Sequence, residues 1–200
     1  GMGGLGCPAA TSLVAAGIGT LNIIDGDTVD LSNLHRQHLY QPGDIGKKKV
    51  RVAKRSLENI SSQTKIIAFD NFLNQSNAKS CFENIDIIID ATDNIASRQI
   101  IDKVSKDKNI PMVYGSLYRF EGQVGVFNTE SKIGYTELFP GNISGGKTCE
   151  EAGVIGMLPS IIGNMQALEV IKLILNLEPN LIGRLLIYDG LQHTTEVIEL

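Results

Sequence analysis

The sequence has little of what marks the special classes of protein. It carries only three cysteines, Cys7, Cys81 and Cys149, far apart and without a Cys-x-x-Cys pair. Neither a disulfide scaffold nor a cysteine zinc site is expected. A basic excess is also missing: 18 Lys and Arg stand against 22 Asp and Glu, for a net charge of −4. A nucleic-acid reader usually shows the opposite balance, so no nucleic-acid partner is expected. No uninterrupted apolar run approaches the roughly 18 residues that span a membrane, and no membrane association is expected. Residues 1–20 lack a basic start and are glycine-rich, unlike a secretory signal, so a cytoplasmic location is the expectation. What is present is ordinary for a globular protein: 42% hydrophobic and 20% charged residues. The 200 residues suit a single domain, 1–200, which buries roughly 70% of its unfolded surface.

Periodicity organises the chain. Helices are predicted over 8–17, 46–60, 78–84, 96–108 and 160–177, and strands over 21–24, 65–69, 85–91 and 112–114. Residues 121–127 alternate and predict an antiparallel strand, and 184–188 with 194–198 read as a closing hairpin. Residues 26–45 form a long polar connection, and 129–158 are glycine-rich and aperiodic. Strands alternating with helices, then antiparallel strands, predict an α/β fold: a Rossmann-like mixed sheet whose parallel nucleotide-binding half is followed by antiparallel strands.

The chain opens on Gly1-Met2-Gly3-Gly4-Leu5-Gly6, which fits G-x-G-x-x-G. Such glycines let backbone approach a phosphate, and the helix that follows adds positive partial charge. Asp25 closes the next predicted strand, 19 residues after Gly6, where a carboxylate accepts ribose hydroxyls. The competing reading is a glycine-rich turn with Asp25 capping a loop. Such a loop normally follows a strand, so the sheet's first strand is expected upstream of Gly1, and the 200 residues alone are expected to be unstable. A second glycine motif, Gly141 to Thr148, matches G-x-x-x-x-G-K-T, but Pro140 before it and Gly153 and Gly156 after it oppose the strand and helix a P-loop needs.

The long connection carries Asn33, His35, Arg36, Gln37 and His38, and the helix after it opens with Lys47, Lys48 and Lys49. Three lysines at a helix N-terminus oppose the macrodipole and ask for an anionic partner. A triphosphate needs such cations more than a nicotinamide dinucleotide does. Asp90 and Asp93 follow the apolar strand, at the crevice end where a carboxylate holds a magnesium ion bridging phosphates. The structural alternatives are Asp90 as a cap and Asp93 as the N-cap of the next helix. Cys149 is a loop cysteine, a candidate nucleophile or an incidental thiol.

Together these residues resemble the HesA/MoeB/ThiF family of ubiquitin-activating-like adenylyltransferases. The matching stretches are GMGGLG at 1–6, DGDTVDLSNLHRQ at 25–37, GKKKV at 46–50, DATDN at 90–94, EGQV at 121–124, TCEEAGV at 148–154 and GNMQALEVIK at 163–172, in family order. The resemblance implies binding of ATP with Mg2+. Gly1, Gly3, Gly4 and Gly6 would lie against the nucleotide, Asp25 on the ribose, and Ser32, Asn33 and Arg36 along the triphosphate. Lys49 would contact phosphate, and Asp93 would hold the metal with Asn94 beside it. Cys149 takes the place of the family's sulfur-relay or thioester-type cysteine.

The reaction implied is adenylylation of the C-terminal carboxylate of a small ubiquitin-like sulfur-carrier protein, for thiamine or molybdopterin biosynthesis. Arg36, Lys49, Asp93 and Cys149 are the catalytic candidates. A homodimer is expected, with any sulfur donor a separate protein. Many members carry two Cys-x-x-Cys pairs for zinc; the first pair's position here reads Tyr135-Thr136-Glu137-Leu138, and no zinc is predicted. The alternatives are a non-catalytic binder of a ubiquitin-like protein and an NAD-dependent oxidoreductase.

Overall fold

The computed structural model describes residues 1–129, 133–140 and 155–200. Helix α1 (Gly6–Ala15) ends before Gly17, whose φ of +85° turns the chain into β1 (Thr20–Ile24). Strand β1 pairs parallel with β2 (Lys65–Phe69), Thr20 opposite Lys65. The long connection and α2 (Lys49–Glu58) join them. The second sheet runs β3 (Ile88–Asp90), β4 (Met112–Tyr118), β5 (Glu121–Phe127), β6 (Arg184–Asp189) and β7 (Thr194–Glu199) in that spatial order. The β3–β4 pair is parallel and the rest antiparallel, so the α/β reading with a parallel half and an antiparallel half holds.

Helices cover both faces. On one, Leu13 of α1 meets Ile162 and Val170 of α6 (Met157–Leu175) over Val113, Val124 and Val126. On the other, α3 (Gln75–Cys81), α4 (Ile95–Lys108) and α5 (Tyr135–Leu138) set Cys81, Ile101 and Tyr135 against Met112, Tyr114 and Phe127. Val50, Ala53 and Leu57 of α2 are buried on Ile23 and Ile66, as their spacing requires.

Several boundaries moved, each for a local reason. Helix α2 begins at Lys49 rather than 46, because the backbone of 46–49 pairs with 27–29 instead: Val29 N–H donates to Lys47 O and Lys49 N–H to Asp27 O. Ile60, expected on its buried face, lies past its end and is exposed. Strand β4 runs on to Tyr118, since Gly115 to Tyr118 fold back on Glu121 to Val124 as a hairpin. Asn74 caps α3 early, accepting from Ser76 and Asn77 N–H.

The expectation about membranes rests on a count of uninterrupted apolar runs. Helix α6 is, by length and composition, apolar enough to cross a bilayer. Counting uninterrupted runs missed it, because Asn164, Gln166, Glu169 and Lys172 interrupt the apolar residues. In this fold Leu158, Ile162, Ala167 and Val170 pack on α1 and the sheet, while Met157, Leu168, Ile174 and Leu175 are exposed. Glu169 is buried, paired with Lys172 and accepting from Leu181 N–H.

Between the two sheets β1 and β3 each show an unpaired edge, and Leu21 to Ile24 and Ile87 to Ile89 line the same cavity. Gly1 and Met2 lie where the C-terminal ends of these strands converge. Met2 N–H donates to the Asp25 carboxylate beyond β1, and Gly1 abuts the Ala91 carbonyl beyond β3.

Candidate functional site

The glycine loop is pinned from beneath. Met2 is buried, and its carbonyl accepts from Tyr40 Oη at 2.7 Å and from Cys7 Sγ at 3.4 Å. Burial pushes the Cys7 thiol up to about 12 and raises the Tyr40 hydroxyl as well. Both therefore stay protonated at neutral pH, as donors. A Cβ on Gly1 would stand 2.5 Å from Ala91 O, and one on Gly6 would collide with the Gly1 carbonyl. The loop closes tightly because both positions lack a side chain.

Asp25 takes part in that closure. One carboxylate oxygen accepts Met2 N–H at 2.7 Å and the other Asp27 N–H at 2.8 Å, which ties the end of β1 to the loop. Lys49 Nζ donates to Asp27 Oδ2 at 3.0 Å. The neighbouring lysines are committed elsewhere. Lys47 reaches Asp44 at 3.0 Å, while Lys48 donates to Gly26 O and pairs with Asp70. The reading of the lysines as calling for an external anion is thus corrected for Lys47 and Lys48, which have carboxylates of this chain and do not line the cavity, whereas Lys49, though paired with Asp27, does line it.

Arg36 lines the cavity above the loop, its Cδ 3.6 Å from where a Gly4 Cβ would stand. Its Nη1 donates to Ser32 O at 3.1 Å. Asn33 is buried and lines the cavity, whereas the Ser32 side chain is exposed, donates to Asp30 Oδ1 at 2.5 Å and does not line it. The buried Gln37, not predicted as a site residue, also lines the cavity, its Nε2 3.6 Å from a Cβ built on Gly3.

Beyond β3, the two aspartates divide. Asp90 is fully buried and turns the chain, Oδ1 accepting from Thr92 N–H at 2.9 Å and Thr92 Oγ1 at 2.6 Å. Asp93 is exposed on the cavity wall beside Asn94. The N-cap alternative for Asp93 fails, because Asn94 caps α4 by accepting Ser97 N–H at 2.9 Å. Arg98, also unpredicted, is buried beneath this loop. Burial works against its charge, but Asp90 together with Tyr114 and Tyr135 outweighs it and holds the guanidinium above its usual range. One signal could have found it: a cation in the first turn of a helix opposes the macrodipole and needs a reason.

One cavity of about 940 Å³ runs along the apolar slot between β1 and β3, past Leu13, Ile18 and Ile171, and reaches Gly1 to Gly6, Asp25, Asn33, Arg36, Lys49, Asp93 and Asn94 at its polar end. Its polar part lies outside the C-terminal ends of β1 and β3, the position where open α/β sheets bind ligands. Cys149 and the 141–148 glycine motif lie outside the described residues.

Comparison with known proteins gives the family and the fold. The ThiF family matches residues 1–200. The chain is 41% identical over 203 residues to "Adenylyltransferase and sulfurtransferase MOCS3" of Caenorhabditis briggsae, covering 100% of this chain and 50% of that protein. It is 37% identical over 199 residues to "Sulfur carrier protein adenylyltransferase" of Thermus thermophilus, covering 96% of this chain and 73% of that one. A "Probable molybdopterin-synthase adenylyltransferase" of Porphyra purpurea is 42% identical over 195 residues, with 96% and 51% covered. The chain thus spans about half the length of two of these three curated relatives. Among solved structures, PaaA superposes with a TM-score of 0.84 at 30% identity, over 100% of this chain and 62% of that one. Escherichia coli MccB with ATP superposes at 0.83 and 22% identity, over 100% and 61%, a likeness of fold.

Proposed function

We propose, from the premise that this chain belongs to the ThiF family, that its cavity binds ATP and adenylylates the C-terminal carboxylate of a small ubiquitin-like sulfur-carrier protein. The observation that carries the reading is the single cavity shared by the glycine loop, Asp25, Arg36, Lys49 and Asp93. The names of the relatives from Thermus and Porphyra point the same way.

The carrier's carboxylate oxygen attacks the α-phosphorus. A P–O bond to the carrier forms as the bond from the α-phosphorus to the bridging oxygen breaks, and the electron pair leaves with pyrophosphate. A C-terminal carboxylate, with a pKa of about 3.5, is already ionised at pH 7, so no general base is required. The chain's task is positioning and charge stabilisation. The glycine-loop amides and the α1 N-terminus receive phosphate oxygens. Asp25 accepts from the ribose with the lone pairs that Met2 and Asp27 leave. Arg36 and Lys49 spread the charge that develops on the phosphates.

A magnesium ion fits the wall at Asp93. Among the described residues no group of three or more His, Cys, Asp and Glu side chains gathers, and magnesium is ordinarily held by one or two carboxylates together with phosphate and water oxygens. When bound, it neutralises phosphate charge. Sulfur reaches the acyl-adenylate from a separate donor, and a homodimer belongs to the same reading.

The test is carrier-dependent exchange of labelled pyrophosphate into ATP. Arg36→Ala is expected to lower the exchange rate about 100-fold, the usual loss for one preorganised charge-stabilising donor. Undiminished exchange in that variant overturns the assignment.

A further inference from the structure

The loop that presents Asp93 is held from below by one side chain whose contacts exceed what the helix needs. Arg98 Nη2 donates to Thr92 O at 2.9 Å and to Gly115 O at 3.3 Å, and Nη1 donates to Tyr114 Oη at 3.1 Å. Its Nε stands 3.7 Å from Asp90 Oδ2, an oxygen with no hydrogen-bond partner of its own. The guanidinium carbon lies 5.1 Å from the Tyr114 ring centroid and 5.9 Å from that of Tyr135. One planar group therefore joins the end of β3, the loop before α4, and β4.

Simpler duties do not account for this arrangement. The start of α4 is already capped by Asn94. Balancing the Asp90 charge requires only a cation, and a lysine would serve. Burying a guanidinium is costly unless its donors are met, and a planar fork whose separate nitrogens point at oxygens of different segments is what arginine offers, whereas lysine's three donors radiate from one nitrogen. The acceptor that matters is Thr92 O, the carbonyl of the peptide bond that leads into Asp93. Fixed there, and by the two Asp90–Thr92 bonds, the backbone at 92–93 has its direction set before any ligand arrives.

We propose that Arg98 is a positioning residue for divalent-cation binding: through Thr92 O and Asp90 it orients the 90–94 loop so that the Asp93 carboxylate meets a cation on the nucleotide's phosphates. This rests on the reading of the cavity as an ATP–magnesium site. Arg98 touches neither nucleotide nor metal, so its removal weakens the coupling between the two rather than nucleotide binding itself.

The experiment is calorimetric titration of the full chain with ATP, once in excess Mg2+ and once in EDTA. The ratio of the two dissociation constants measures cation–nucleotide coupling. In the wild type Mg2+ is expected to tighten ATP about tenfold or more. In Arg98→Lys, which keeps the charge and loses the fork, the ratio is expected to fall to within about twofold of unity, with the EDTA constant changed less than about threefold. Lys106→Ala, which loosens α4 at its far end, is expected to lower thermal stability and keep the wild-type ratio. Should Arg98→Lys not fold, Tyr114→Phe removes the Nη1 acceptor alone, and an intermediate ratio is expected. A wild-type ratio in folded Arg98→Lys, or in Tyr114→Phe where that variant must decide, overturns the role of Arg98. A wild-type protein that binds ATP equally in both buffers, or not at all, instead overturns the ATP–magnesium reading and this proposal with it.

Discussion

Lys49 and Asp27 form a lopsided ion pair: their atoms are 3.0 Å apart, yet the lysine side chain is 6% exposed and the aspartate 51%. The cation is built into the cavity wall, while its partner stands half in water. A partner so well solvated contributes little to stability, about 1 kcal/mol at most. A phosphate can therefore share the ammonium at small cost. Lys49→Met is expected to melt within a few degrees of the wild type and to lose about 100-fold in the rate of pyrophosphate exchange. An exchange rate within threefold of the wild type contradicts a phosphate role for Lys49.

Gly6 sits where its Cβ would run into the Gly1 carbonyl. Gly6→Ala must therefore open the loop, although alanine favours the helix that begins there. We expect α-helical content to be kept, as read by circular dichroism, and ATP affinity to fall at least tenfold by calorimetry. An alanine variant with unchanged affinity means that the tight closure of residues 1–6 is irrelevant to binding.

Asp102 provides a dependence on pH. It is 1% exposed and accepts from Asn128, Lys106, Tyr135 N–H and Thr136, which fastens α4 to α5. Burial raises its pKa, but the bonds from Thr136, Lys106 and Asn128 outweigh this and hold it below the usual carboxylate range. A depressed folded value stabilises fully above the unfolded value of about 3.9. That contribution is lost as pH falls through the lower folded value. Asp102→Asn is expected to cost about 2 kcal/mol in urea unfolding at pH 7, and much less at pH 3. A deficit of equal size at both pH values means that the carboxylate's charge plays no part.

Cys7 should be chemically silent. With its thiol pushed up to about 12 by burial and its Sγ on Met2 O, the reactive thiolate is scarce at pH 8. Brief treatment with iodoacetamide, mapped by mass spectrometry, is expected to leave Cys7 unmodified in the folded chain and to label it in urea. Rapid labelling of the native protein would show that the floor of the glycine loop is open.

The features legible in the sequence share a property: each depends on residues close together in the chain. The G-x-G-x-x-G spacing placed the loop at the start of α1. The period of Val50, Ala53 and Leu57 fixed the buried face of α2. Asp25 followed its strand as expected because strand length and helix length set that spacing. Among the assignments that needed correction, one turned on a remote partner. Lys48 was read as seeking an anion because Asp70, which pairs with it, lies beyond β2. Asp93 was read as a possible N-cap, and the cap is Asn94, one residue further on.

The sequence by itself determined the α/β alternation, the glycine loop and the residue types along the crevice, because backbone conformation and helix or strand periodicity are set mainly by near neighbours. Tertiary structure alone decided which of those residues face one another. Parallel pairing of β1 with β2 and of β3 with β4 brings chain ends from separate segments to one edge. Whether a lysine meets Asp27 or Asp70, and whether Arg98 reaches the Gly115 carbonyl, follows from strand order and register, which no local spacing encodes.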